Sequence, residues 1–279
     1  MKIVVFGPER RVGVLRGNQV VDLSLAYAKY LKERQSERQP TRLAAVMVPS
    51  DLALIEGGQR TLELADAALD HLFGNVQDQL GPNGEVLSRK ASEVRLHAPR
   101  PDGSRIACAG GNFADHLAGM AAMGLLPGAG RMSIDEAAKK IRDNGIWGFW
   151  KVGRHTAASG EQLPYPSRAD RLDYEDEVAI ILNREVRDVR ATEAKDLVWG
   201  VHPVGGLEHQ EPGRADRSAE VWYGQELRPV MLFGALHYRR RVGPNRCRCG
   251  DLCEWRTPPA VQYARHGVLL LGVHRVSVA

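Results

Sequence analysis

At 279 residues and 43% hydrophobic content, the chain is long enough for one large domain or two modest ones and has the apolar share of a globular core. Its longest apolar run, residues 268–273, is too short to cross a bilayer, and Met1-Lys2 leads straight into Ile3-Val4-Val5-Phe6 with no cleavable leader, so a cytoplasmic protein without a membrane partner is expected. The formal charge of +4 sits wholly after Gly200, where 11 Arg face 7 Asp or Glu, leaving 27 of each sign before it, and without a basic stretch among aromatics no nucleic-acid partner is expected.

In chain order, residues 2–6 form a β-branched run. Residues 12–15 and 20–23 flank Arg16-Gly17-Asn18-Gln19, which predicts two strands around a Gly-Asn turn. Ser24 is placed to cap a helix through Leu25, Ala28 and Leu31, and Leu62, Ala65, Leu69 and Leu72 recur at helical spacing until Gly74-Asn75. Pro99-Arg100-Pro101-Asp102-Gly103 is a turn-rich break and serves as the predicted boundary. An N-terminal α/β domain, residues 1–98, therefore precedes a chemical core at 101–200. The first domain has no cluster of carboxylates, Cys or His, which fits support or oligomer contacts.

Beyond the break, Arg105-Ile106-Ala107-Cys108-Ala109 predicts a strand ending in Gly110-Gly111-Asn112-Phe113-Ala114-Asp115-His116. Two glycines allow a sharp turn close to a ligand and set Asn112 and His116 just past a strand end, although an ordinary structural turn has the same pattern. Residues 172–182 (LDYEDEVAIIL) predict a second strand, on which alternation puts Glu175 and Glu177 on one face with Asp173 in line. Adjacent carboxylates repel, and a hard cation such as Mg²⁺ relieves that by binding both; the plainer alternative is a solvated strand edge. Between these strands, Gly148-Phe149-Trp150-Lys151 carries a lone lysine, which either snorkels to water or holds an anionic head group.

These three pieces, in this order, resemble the fumarylacetoacetate hydrolase family. Its small members show a Gly-x-Asn-Tyr-x-x-His-x-x-Glu loop, then a Phe-x-Lys strand, then a Tyr-Glu-x-Glu-x-Ala strand. Gly110, Asn112, Phe113 and His116 match the first, Phe149 and Lys151 the second, and Tyr174, Glu175, Glu177 and Ala179 the third. The resemblance covers residues 101–200. It implies an α+β fold, a mixed β-roll that is incomplete in this chain. It also implies a divalent cation, Mg²⁺ with Mn²⁺ or Ca²⁺ as alternatives, held by three carboxylates, and a substrate with a 1,3-diketone or 2-oxo-acid unit such as an acylpyruvate. Glu175 and Glu177 inherit the role of metal ligands, His116 that of general base and Lys151 that of a substrate or oxyanion contact, with Asn112 and Phe113 binding substrate. C–C hydrolysis, isomerisation, decarboxylation and hydration all occur in the family and share an enolate-like species on the metal. A homodimer is expected for an in-frame relative.

Two departures stand out. The loop glutamate expected three residues after His116 falls on Gly119, and Asp135 and Glu136, in the helix-like stretch 133–142, are the candidates to replace it from a lid. The family's next motif, Gly-Tyr-x-x-x-Asn-Asp, should supply the third carboxylate just after Gly200, and Val201-His202-Pro203-Val204-Gly205-Gly206 does not match it. When each codon from Val201 is cut after its first base, however, permitted synonymous codons turn residues 201–211 into YTLLVDWSIRN, with an aspartate overlapping Gly206. The same offset turns residues 221–228 into FGMAKNFD and 251–268 into TCVNGELRQRYNTRDMVF, both similar to later stretches of the family. All 8 Lys precede residue 200, whereas the tail holds no Lys, 3 of the 4 Cys and 5 of the 9 His. Residues 201–279 are therefore expected to be an out-of-frame, poorly ordered tail. The competing expectation is a zinc module on Cys247, Cys249 and Cys253. Function follows as a metal-dependent hydrolase impaired in this chain, against an inactive product with at most a binding role.

Overall fold

The structure is a computed structural model of the chain. It describes residues 1–75, 80–99, 105–110, 112–124, 126, 128–145, 147–151, 156–158, 161–162, 171–190, 192–210, 231–233, 236–237 and 267–272. The turn at 100–103, Arg239 to Arg241 and the three tail cysteines lie outside these residues.

The first 75 residues make the expected small sheet and the two expected helices, together with a short one. β1 (Lys2–Phe6), β2 (Arg11–Arg16) and β3 (Gln19–Asp22) form an antiparallel meander, with Gly17 at φ +58° turning β2 into β3. α1 (Leu23–Gln35) follows directly. Its cap is Asp22, not Ser24: the Asp22 carboxylate accepts from Leu25 N at 2.9 Å, and Ser24 is buried inside the first turn. The same carboxylate takes a two-pronged ion pair from Arg11, at 2.5 and 3.0 Å, so one buried group ties strand to helix. The pair holds the Arg11 guanidinium above its ordinary pKa, its hydrogen bond to the Asp22 carboxylate outweighing burial.

α2 (Pro40–Met47) and α3 (Gly58–Asn75) pack with α1 over this sheet. Leu62, Ala65, Leu69 and Leu72 of α3 are buried with Leu31, Leu54 and Ile55 in the main core. That periodic stripe is what drives the helix onto the sheet. β4 (Ser88–Lys90) extends the sheet beside β3, and β5 (Leu96–His97) pairs with β1.

The rest of the chain adds β6 (Arg105–Gly110), α4 (Ala114–Ala122), α5 (Ile134–Asn144), β7 (Trp147–Lys151), β8 (Thr156–Ala158), β9 (Arg171–Leu182) and β10 (Val198–Gln210). Three short strands complete it: β11 (Met231–Phe233), β12 (Leu236–His237) and β13 (Gly267–Gly272). Among the described residues all thirteen strands share one sheet, in the order β4-β3-β2-β1-β12-β10-β9-β13-β6-β7, with β5, β8 and β11 paired off that path. Most pairings are antiparallel; β13 with β9 and β11 with β8 are parallel. The fold is mixed α+β. The strands before the expected boundary enter the same sheet as those after it, and Ile106, Cys108, Ala179 and Ile181 join the N-terminal core. Strand β10 carries that sheet ten residues past Gly200. No helix among the described residues is long and apolar enough to cross a membrane.

Candidate active site

The site is built on the strands β9, β13, β6 and β7. Leu269 of β13 lies opposite both Ala179 of β9 and Cys108 of β6. Carrying that register two residues further sets Glu177, Gly267 and Gly110 in one row. The loop leaving Gly110 thus starts level with Glu177. Asn112 and Phe113, both half-buried, lie in that loop, and His116 is exposed in the first turn of α4. The topology therefore brings Asn112, Phe113, His116 and the glutamate strand to one end of the sheet.

Residues directly opposite one another share a face. Glu175, Glu177, Ala179 and Ile181 alternate on the β9 face that also carries Ile106 and Cys108 of β6 and, opposite them, Lys151 and Phe149 of β7. The apolar members, Ile106, Cys108, Ala179 and Ile181, are buried. The register does not bring Lys151 beside the glutamates. Lys151 stands in the row of Ile106, Leu271 and Ile181, four residues or roughly 13 Å along the strand from Glu177.

Of the two candidates for the missing loop glutamate, Glu136 is already committed. Its carboxylate accepts from Ser133 N at 2.7 Å and Ser133 Oγ at 2.9 Å, while Glu136 N donates to Ser133 Oγ at 3.2 Å. This capping box starts α5 and holds the Glu136 carboxyl below its ordinary pKa, through the bonds from Ser133. Asp135 is exposed on the same turn. Helices α4 and α5 pack chiefly on each other, so His116 rides on a helical hairpin beside the strand end.

Two features here were not legible in the sequence. Arg95, before the boundary, donates to Glu161 at 2.8 Å, and Glu161 also accepts from Ala158 N at 3.0 Å, fastening the N-terminal unit to β8. The Arg95 bond and then the Ala158 bond hold the Glu161 carboxyl below its usual range. The second feature is Glu208 of β10, which lies opposite Asp173, on the same face as Glu175 and Glu177. Only the pairing of β9 with β10 reveals it.

A cavity of about 350 Å³ lies elsewhere, in the N-terminal unit, lined by Phe6, Arg11, Asp22, Leu25 and Leu87 among others. Its buried carboxylate is consumed by Arg11 and the helix cap.

Residues 105–249, just over half of the chain, match the family described as "Fumarylacetoacetate (FAA) hydrolase C-terminal". The chain belongs to the fumarylacetoacetate hydrolase family. It is 29% identical over 147 residues to Protein Rv2993c of Mycobacterium tuberculosis, an alignment covering 46% of this chain and 48% of that protein. The chain thus spans about half the length of this curated relative. Among solved structures it is similar to maleylpyruvate hydrolase from Sphingobium sp. SYK-6, at 17% identity and TM-score 0.49, over 85% of this chain and 68% of that one. The same enzyme with manganese(II) and pyruvate matches at 16% identity and TM-score 0.47, over 87% and 69%. A fumarylacetoacetate hydrolase from Exiguobacterium antarcticum matches at 17% identity and TM-score 0.47, over 85% and 66%.

The family resemblance calls for a divalent cation held by three carboxylates, of which the motif names Glu175 and Glu177. Opposite Glu175 and Glu177 on β10 stand Gly206 and Val204, neither of which has a side-chain donor. Directly opposite the two glutamates there is no third carboxylate; the next ones on that face are Asp173 and, opposite it, Glu208. Among the described residues, Glu175 and Glu177 would hold a divalent cation, with Asp173 and Glu208 the further carboxylates on that face.

Proposed function

We propose that this chain is a fumarylacetoacetate-hydrolase-type enzyme directed at the C–C bond of a 1,3-diketone or 2-oxo-acid such as an acylpyruvate, and that the sequence after Gly200 impairs its activity. The observation that supports this reading is the register by which Gly267 pairs with Glu177 and Leu269 with both Ala179 and Cys108, so that β6 runs out into the Asn112 to His116 loop near the level of Glu177. The exposed His116 ring takes a proton from water, whose oxygen adds to a carbonyl carbon of the substrate. The bond to the neighbouring carbon breaks. Its electron pair leaves on the 2-oxo-acid fragment as an enolate, which then recovers the proton. Asn112 and Phe113 hold the substrate at the loop, and Lys151 receives the far, anionic end, consistent with its distance from the glutamates. The hairpin α4–α5 covers the site as a lid, with Asp135 as the carboxylate that orients His116. An in-frame relative is a homodimer acting on a small molecule.

A second reading, an inactive product with at most a binding role, is favoured by one observation, the missing donor opposite Glu175. Pyruvate release from an acylpyruvate by the purified chain with Mg²⁺ or Mn²⁺ separates the two. Slow, metal-stimulated release that is lost in His116→Ala supports the enzyme. No release from the chain and none from a version with the shifted frame restored would leave the binding reading standing. For the metal itself, the expected affinity is about a hundredfold below that of the frame-restored chain, about 3 kcal/mol, by calorimetry. Equal affinities would refute the two-carboxylate account.

A further inference from the structure

We infer that the cavity of about 350 Å³ in the N-terminal unit is a second small-molecule site, one that takes an amino-acid-type zwitterion with an apolar side chain. Its lining comes wholly from residues before the family match begins at residue 105, so this site does not depend on the activity proposed above.

Strand register builds the floor. Phe6 lies opposite Arg11 and Gly13 lies opposite Asp22, so alternation sets all four on one face of the β1 to β3 meander. The other face carries Ile3, Val5, Val12 and Val14 into the main core. An added Cβ at Gly13 would meet Phe6 Cε1 at 2.8 Å, so the glycine is what lets the aromatic ring lie across the strand. Leu25 and Leu87 supply apolar walls, and the volume is at the lower end of the roughly 300–1,000 Å³ typical of small-ligand pockets. The rim is fixed before any ligand arrives. Gly7 N donates to Arg95 O at 2.9 Å and the His97 ring donates to Gly7 O at 2.7 Å, which pins the turn carrying Glu9. The hairpin carrying Glu85 and Val86 is pinned as well, by Lys29 on Leu80 O at 3.0 Å and Lys32 on Pro82 O at 2.6 Å. Such pre-ordered walls lower the entropy cost of binding.

The charges select the ligand. Two arginines, Arg11 and Arg89, face three carboxylates, Asp22, Glu9 and Glu85. Asp22 accepts from Arg11 Nε and Nη2, and Glu85 accepts from Asn83 N and Nδ2 at 2.8 and 2.9 Å. Among the described residues this leaves Arg11 Nη1 with both of its hydrogens, and the Glu9 carboxylate, for a ligand. Glu9 stands near enough to bear on the charge of Arg11. A simple anion would enter a lining with one carboxylate in excess, and a simple cation would meet two guanidiniums. A zwitterion suits both: its carboxylate accepts from Arg11 Nη1, its ammonium donates to Glu9, and its apolar side chain covers Phe6 and the exposed Val86.

Calorimetric titration of the full chain with L-phenylalanine, 3-phenylpropanoate and phenethylamine tests this, because the three share a body and differ in their charges. L-Phenylalanine is expected to bind at least tenfold more tightly than either of the others. Equal affinities, or saturable binding by none of the three, would overturn the inference. Two variants at exposed positions, Glu9→Gln and Val86→Trp, then locate the site without disturbing the core. Glu9→Gln is expected to weaken L-phenylalanine at least tenfold and to leave 3-phenylpropanoate no weaker. Val86→Trp fills the mouth and is expected to abolish binding, while the unfolding midpoint of the ligand-free protein stays where it was. Unchanged L-phenylalanine binding in either variant overturns the assignment. His116→Ala is expected to keep the full affinity, and a loss there would move the ligand to the carboxylate strand and overturn the assignment to this cavity.

Discussion

The strands β1 to β3 and the strand β10 occupy the same sheet, but their residues stand in opposite relation to their positions. In the N-terminal unit each local choice agrees with its place. Val12, Val14, Val20 and Val21 are buried strand residues, Gly17 takes the left-handed turn, and Asp22 caps the helix its strand leads into. Gly13 is where it must be, since a Cβ there would meet Val21 O at 2.7 Å. In β10 a proline and two glycines sit where the pairing asks for β-branched residues. Backbone pairing alone therefore does not make a strand native. Agreement between residue and position does, and β10 lacks it at Pro203, Gly205 and Gly206.

That contrast can be broken or sharpened by mutation. The largest effect is expected at Leu62, which is 1% exposed in the main core. Leu62→Ala should cost about 2–5 kcal/mol, read from the urea midpoint, and a loss below 1 kcal/mol would mean that the N-terminal unit is no better packed than the tail. Next is Asp22→Ala, which removes both the helix cap and the partner of Arg11. A loss of about 2 kcal/mol is expected, with Asp22→Asn recovering roughly half because asparagine still caps. Equal losses in the two variants would show that the ion pair, not the cap, carries the whole effect.

Pro203→Val should act in the opposite direction and stabilise by on the order of 1 kcal/mol, as the ladder regains a donor. Thermal unfolding of the variant checks this, and a lower midpoint would show that the proline suits its place. The smallest effect concerns acid. Burial alone would raise the Glu33 carboxyl, but hydrogen bonds from Lys29 and His71, each 2.8 Å away, outweigh it and hold the pKa below its ordinary value. A depressed carboxyl contributes stability above its unfolded pKa and loses it as pH falls through the folded one. Because the group is partly exposed, Glu33→Gln should cost roughly 0.5 kcal/mol at pH 7 and nothing at pH 2. A difference that persists at pH 2 would assign the effect to packing.

The limits of the sequence follow from the same physics. The β1 to β3 meander, α1, α3 and the strand of Glu175 and Glu177 were legible because each depends on local periodicity and turn chemistry. The helix cap was misassigned by two residues, to Ser24, because both Ser24 and Asp22 suit a cap and only the geometry of Leu25 N distinguishes them. Helix α2 was missed, being short and with one fully buried residue, Ala44. Within the candidate site, Asn112, His116 and the glutamates were nominated from motif order, whereas the register between their strands, the separation of Lys151 and the place of Glu208 depend on strand pairings between residues far apart in the chain.

One such pairing bears on how the protein is made. β1 is covered on one edge by β2 within its first fourteen residues, and Val5 and Phe6 gain β5 on the other edge once His97 and Leu96 are available. Lys2 and Ile3, however, pair with Leu236 and His237. At about 5–20 residues per second, ribosomes need roughly twelve to forty-seven seconds to reach them, and until then the start of β1 presents unpaired backbone beside the N-terminal core. The nascent chain therefore carries an open sheet edge for most of its synthesis, which makes this short segment the point at which chaperone binding or self-association during translation should be looked for.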